Sequence, residues 1–225
     1  ARAEALDPKS LQIYETVQEL KEEFRKSEMM RTAAVYQFFH TRSEANSIFL
    51  HESTTSKIPL VSFQFQRQTR EPRLCLADYI NSDLAAGDNI ALFAVTVGRG
   101  VRELANELKD RGQYLKSHIL QALALESAEA LAEYLHAQIR RMWGFPDPTD
   151  MTMLQRFQAK YRGKRYSFGY PACPNLSSQQ QLFQILNPKE IGIELTEGDM
   201  MDPEASVTAL AFHHQQAQYF AIVTG

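Results

Sequence analysis

Apolar residues along this chain follow two periods, and the switches between them divide it into three stretches. Over residues 9–30, Leu11, Tyr14, Val17, Leu20 and Phe24 recur at three- and four-residue spacing, with Glu and Lys crowding the other positions. That spacing lines one face of a helix, and Ser10 is its expected cap. The helix reads as an amphipathic arm, residues 1–30, lying on the domain or on a neighbour. From residue 32 the period shortens to two. Residues 32–39, 47–51 and 60–65 are rich in β-branched and aromatic types, and Val61-Ser62-Phe63-Gln64-Phe65 alternates strictly. Polar turns at 42–46 and 52–57 predict antiparallel hairpins. Residues 89–97 are apolar on both faces, the pattern of a central strand.

After Gly98 the longer period returns. It predicts helices over 101–108 and 114–143, the second with Leu115, Ile119, Leu123, Leu131, Leu135 and Ile139 along its stripe. Gly144-Phe145-Pro146-Asp147-Pro148 ends that run. A short helix over 151–160, another over 178–186, and strands over 191–195, 206–212 and 218–223 complete the reading. Helices inserted between N- and C-terminal strand groups predict an α+β fold with a mostly antiparallel sheet, residues 31–225 forming one domain.

Composition narrows the function class. The 225 residues are 44% hydrophobic and 23% charged, ordinary values for a soluble chain with a real core. A formal charge of -3 gives no broad attraction to nucleic acid. No apolar run approaches the roughly 20 residues that cross a bilayer, and the polar opening residues lack a secretory signal. The cytoplasm is the expected compartment, where Cys75 and Cys173 read as buried thiols rather than a disulfide. The start at Ala1 reads as a piece trimmed from something longer.

Candidate chemistry gathers in few places. The run Arg165-Tyr166-Ser167-Phe168-Gly169-Tyr170-Pro171-Ala172-Cys173-Pro174 suits neither helix nor strand and predicts a shaped loop. Its arginine offers a planar fork to a carboxylate; the plainer alternative is a rigid turn with a solvated Arg. Asp78 follows the apolar run Leu74-Cys75-Leu76-Ala77, where it could pair with an ammonium group or cap a helix. Tyr170, Tyr219 and Phe220 could enclose an adenine or sulfonium, or simply pack in the core. Adjacent strand residues point to opposite faces, so His213-His214 does not read as a chelating pair and no metal is expected. No G-x-G-x-x-G, Walker loop, H-E-x-x-H or G-x-S-x-G is present, and no residue is marked as catalytic. A binding module is favoured over a self-contained enzyme.

The run at 165–174 resembles the R-x-x-x-G-Y-P-A-C-P signature of the activation domain of cobalamin-dependent methionine synthase. Leu195-Thr196-Glu197, Met201, Pro203, Ala205-Ser206-Val207, Phe212, His214 and Tyr219 keep that family's order, as do Leu76-Ala77-Asp78-Tyr79 and Glu129-Ala130-Leu131-Ala132-Glu133-Tyr134-Leu135-His136. The resemblance spans residues 74–220. It implies S-adenosylmethionine as the ligand, at Asp78, Glu129, Arg165, Gly169, Tyr170, Tyr219 and Phe220. It also implies a cobalamin carried by a partner domain in cis or trans, a flavodoxin-like electron donor, and a module that binds without turning over alone. Phe220 stands where many members have a second tyrosine, and Gln215 where they have proline. A module serving another corrinoid protein or acting as a sensor, and a self-sufficient small-molecule methyltransferase, are the alternatives.

Overall fold

The computed structural model describes residues 7–26 and 31–222. In chain order the elements are α1 (Pro8–Lys26), β1 (Arg31–Glu44), β2 (Ser47–His51), β3 (Val61–Gln64), β4 (Asn89–Arg99), α2 (Val101–Asp110) and α3 (Tyr114–Met142). There follow α4 (Met153–Phe157), β5 (Lys164–Tyr166), α5 (Gln179–Leu186), β6 (Glu194–Leu195), β7 (Met201–Asp202) and β8 (Ser206–Phe212), with short 3-10 turns between. Six strands form one antiparallel sheet in the order β3-β2-β1-β4-β8-β5. The α+β fold with a mostly antiparallel sheet is therefore what this sequence builds.

Two cores form because β4 buries both of its faces. Ile90, Leu92 and Ala94 pack with Ile48, Phe63, Leu182 and Leu210 on the α5 side. Ala91, Phe93, Val95 and Val97 pack under α2 and α3. Of the expected α3 stripe, Ile119, Leu135 and Ile139 are buried in this core, Leu123 and Leu131 pack at its margin and Leu115 is exposed; the centre of the seam is Leu120, Ala124, Ala128 and Ala132. Small residues let this long helix lie close over Ala91, Ala209 and Ala211, and the leucines flank that contact. Leu20 of α1 is fully buried in the same core and Lys116 pairs with Glu23, so the arm lies on the domain. Residues 27–30 and 223–225 lie outside the described residues.

Several local expectations are corrected. Asp7, not Ser10, caps α1, accepting from the Lys9 and Ser10 N–H groups. β1 continues to Glu44, and the turn shrinks to Ala45 and Asn46, with Ala45 taking a positive φ of 52°. The helix expected over 151–160 keeps only α4, capped by Thr152 and ended before Ala159, whose φ is 49°. Pro188–Ile191 is a 3-10 turn, which leaves Glu194–Leu195 as the only strand near 191–195. No strand forms over 218–222; that segment is held instead by the Tyr166 hydroxyl on the Gln218 carbonyl and the Ile222 N–H on the Pro171 carbonyl. Among the described residues, no helix is long and apolar enough to cross a membrane.

Candidate functional site

β5 is an edge strand, and its three residues set the geometry of the site. Arg165 is registered with Ala211, which faces α3, whereas Tyr166 is registered with Leu210 and enters the opposite core. The expectation that 165–174 contains no strand is thus corrected at its first two residues. Arg165 must point at α3 because the pleat sends its neighbour the other way. The chain then turns through Gly169, whose φ of 81° suits glycine and whose N–H bonds the Cys173 carbonyl at 2.8 Å. An added Cβ would lie 3.3 Å from the Leu176 side chain. That turn presents Tyr170 to the outside and Ala172 and Cys173 to the core. Burial pushes the Cys173 thiol up to about 12, so it is an inert wall rather than a nucleophile.

The resulting cleft encloses about 340 Å³ between α3, β5, the 165–174 loop and the segment 217–222. Glu129, Arg165, Tyr170, Tyr219 and Phe220 all line it. Gly169 shapes it without lining it. Tyr166, Ser167, Pro171, Ala172 and Cys173 also line it and were not singled out from sequence. Their signal was membership of the 165–174 run itself, because a tight turn brings its own residues to the wall. Tyr219 meets the Tyr166 ring edge-on at 5.6 Å between centroids, and Phe220 lies at 6.3 Å.

Arg165 carries the charge of the cleft. Both of its terminal nitrogens lie 3.2–3.3 Å from Glu129 Oε2, and its Nε is 3.7 Å from Glu133 Oε2. Burial works against the guanidinium charge, but Glu129 first and then other negative neighbours outweigh it and hold its pKa above the ordinary value. Glu129 also receives the Tyr170 hydroxyl at 3.4 Å. Burial, followed by Glu129, raises the Tyr170 phenol, which stays a neutral donor.

Asp78 stands apart from the cleft lining. It sits on the 3-10 turn Leu76–Tyr79 and is gripped by Arg67 through both oxygens, at 2.6 and 2.7 Å. It also accepts the Cys75 N–H at 3.0 Å, the capping-type contact foreseen for it. Burial alone would raise this carboxyl; the Arg67 bonds outweigh it and hold it below the usual range. The turn is tied to the cleft through its neighbours. Gln218 N–H reaches the Tyr79 hydroxyl at 3.4 Å, and Gln68 donates to the Ala221 carbonyl at 2.9 Å. Arg67 gave no sequence signal, since its partner lies eleven positions away across a turn.

His213 pairs with Asp88 at 2.7 Å, while the His214 ring lies against Tyr79. Among the described residues, no three His, Cys, Asp or Glu side chains are arranged to hold a metal ion.

Residues 2–224 match the family model described as vitamin B12 dependent methionine synthase, activation domain. The chain is 34% identical over 206 residues to a methionine synthase of Mycobacterium tuberculosis, covering 86% of the chain and 17% of that protein. A methionine synthase of Mycobacterium leprae is 34% identical over 202 residues, covering 84% of the chain and 17% of that protein. The chain therefore spans about one sixth of the length of these relatives. A crystal structure of the MetH reactivation domain bound to AdoHcy superposes with a TM-score of 0.90 at 27% identity, covering 95% of this chain and 68% of that one.

Proposed function

Because the chain belongs to the family of vitamin B12 dependent methionine synthase activation domains, we propose that it binds S-adenosylmethionine in the cleft beside Arg165 and presents the methyl group for reductive methylation of cob(II)alamin carried by another domain. One observation carries this reading: a partly buried arginine fork opens onto an aromatic-walled cleft of about 340 Å³, within the size range of small-molecule sites. The adenosyl ligand of the related reactivation domain supports it.

Each part of the ligand has a match in residue chemistry. Its carboxylate suits the Arg165 fork, a charge-assisted bond contributing about 1.5–3 kcal/mol. Its adenosine and sulfonium suit the faces of Tyr170, Tyr219 and Phe220, since a cation over an aromatic ring is stabilised. Asp78 would take the ammonium while sharing its charge with Arg67. Glu129, which meets the Arg165 fork at 3.2–3.3 Å, would yield it to the incoming carboxylate. A cobalamin domain would supply the nucleophilic cobalt, and a flavodoxin-like cytoplasmic donor the electron. This chain would contribute positioning, with no residue acting as acid or base.

Calorimetry tests the binding step. Wild-type protein is expected to bind S-adenosylmethionine, and Arg165→Ala to weaken it about 10- to 150-fold, the equivalent of the bond energy above. Absence of wild-type binding would sink the proposal; binding indifferent to the substitution would remove Arg165 from it. Adding a cobalamin domain and a reductant then separates a reactivation module from a sensor, because only the former yields a methylated corrinoid.

A further inference from the structure

The cleft arginine is backed by a polar cluster that does not itself line the cleft. Glu133 lies one helical turn beyond Glu129 on α3, so the two carboxylates share a face. Their settings differ. Glu129 is 46% exposed and touches the outer nitrogens of Arg165, whereas Glu133 is 29% exposed and faces its inner Nε. Glu133 is held from behind: Oε2 accepts the Tyr161 hydroxyl at 2.9 Å, and Oε1 lies 3.5 Å from Arg140 Nη2. Those two holders are themselves fixed, because Arg140 stacks 3.7 Å over the Tyr161 ring and clasps Asp147 with two bonds. Arg165 Nε is a buried donor with no hydrogen-bond partner, and Glu133 Oε2 is the carboxylate oxygen that faces it, at 3.7 Å.

We propose that Glu133 is the positioning residue for Arg165, anchoring Nε from behind so that both outer nitrogens stay aimed into the cleft when Glu129 gives way to a ligand carboxylate. This deepens the S-adenosylmethionine reading and rests on it. A guanidinium held only at its outer edge swings with whatever holds that edge. One held at Nε keeps its plane while its partners exchange. Glu129 and Glu133 thus divide the work: one is exchangeable, the other stays.

The test uses the intact chain, with S-adenosylhomocysteine and 5′-methylthioadenosine as probes, the latter lacking the amino acid portion. Glu133→Ala is expected to weaken S-adenosylhomocysteine about tenfold, as loss of one charged contact does, and to leave 5′-methylthioadenosine within about twofold of wild type. The Arg165 Nε–H resonance, assigned by its loss in Arg165→Ala, should be protected from exchange in the wild-type complex and unprotected in Glu133→Ala. Glu133→Gln keeps an acceptor oxygen and should recover part of the loss. If Glu133→Ala does not fold, Tyr161→Phe frees Glu133 more gently and should weaken S-adenosylhomocysteine about threefold with the same change in the resonance.

Equal or tighter binding of S-adenosylhomocysteine to Glu133→Ala would overturn the inference, showing a mere competitor for Arg165. Equal losses for both probes, or an Nε–H that stays protected, would reduce Glu133 to a structural residue and overturn it too. Wild-type protein that binds neither probe would overturn the functional reading along with this one.

Discussion

Arg140, fully buried, and Arg165, partly buried, both face carboxylates of or near α3, yet they are built for opposite ends. Arg140 is 1% exposed and its Asp147 partner 6%; two bonds of 2.6 and 2.8 Å join them, with Tyr161 stacked alongside. Arg165 touches a half-exposed Glu129 at 3.2–3.3 Å and leaves a buried nitrogen unpartnered. Arg140 also leaves one buried nitrogen, Nη1, without a partner, but an internal charge clasped in a nearly dry site costs much to disturb. A loosely paired one beside a cleft costs little to disturb, and its fork can change partners. Neither burial nor an unpartnered nitrogen marks a binding arginine; a fork held by a solvent-reachable carboxylate at the edge of a cavity does.

The sharpest way to break this contrast is to remove each arginine. Arg140→Met leaves Asp147 in a nearly dry site with only Arg156, 3.6 Å away, as a charged partner, which should cost about 3–5 kcal/mol and lower the thermal midpoint on the order of 10 °C for a chain of this size. Arg165→Met leaves Glu129 free to turn to water and Glu133 still held by Tyr161 and Arg140. Its cost should stay near about 1 kcal/mol. Denaturant titration of both variants reads the difference directly. Equal losses would mean that the cleft arginine is structural after all.

A pH titration sharpens the comparison from the side of the buried cluster. His136 is fully buried on α3 one turn before Arg140, and burial first, then Arg140, Arg165 and Lys164, drives its pKa well below the ordinary value. The folded chain therefore keeps it neutral, while the unfolded chain protonates it as pH falls through about 6.5. The unfolded state then binds more protons, so stability falls with falling pH below that point, by up to about 1.4 kcal/mol per unit. His136→Leu should remove this share of the slope between roughly pH 6.5 and 5. His51, also buried with a lowered pKa, keeps its own share. An unchanged slope in the variant would show that His136 does not carry the effect.

The same contrast explains what could be seen in the chain beforehand. Ser47–His51 and Ser206–Phe212 were placed to the residue, because strands packed on both sides must carry their pattern in full. Glu129, Arg165, Tyr170, Tyr219 and Phe220 were foreseen together and do meet at one cleft. The pairings behind them were not foreseen. Asp147 sits in Gly144-Phe145-Pro146-Asp147-Pro148, which reads as a helix stop, and nothing local says that it folds back onto Arg140. The alanine seam of α3 was hidden because leucine carries the stronger hydrophobic signal while alanine allows the closer approach. Residues 218–222 carry strand-forming aromatic and aliphatic residues but form no strand, and are tied to Tyr166 and Pro171 instead. Their side chains fill the site instead of their backbone extending the sheet.

Arg67 and Asp78 supply a third grade of the same pairing, and the smallest expected effect. Their two bonds, 2.6 and 2.7 Å, are as short as those of Arg140 and Asp147, but the side chains are 33% and 38% exposed. Solvent screens such a pair, so Asp78→Asn should cost no more than about 1 kcal/mol despite the short bonds. The sign with pH is fixed by the lowered carboxyl. Its contribution is complete above the unfolded value of about 3.9 and disappears as pH falls through the folded value below that. Stability curves of wild type and Asp78→Asn should therefore run parallel above pH 5 and converge below pH 4. If geometry rather than burial set the strength of these pairs, Asp78→Asn would instead match the several kcal/mol expected for Arg140→Met, and the distinction between locked and exchangeable arginines would lose its basis. A small stability cost joined to a large loss of S-adenosylmethionine binding would move Asp78 to the exchangeable side, where its carboxylate lets go of Arg67 in part to meet an ammonium.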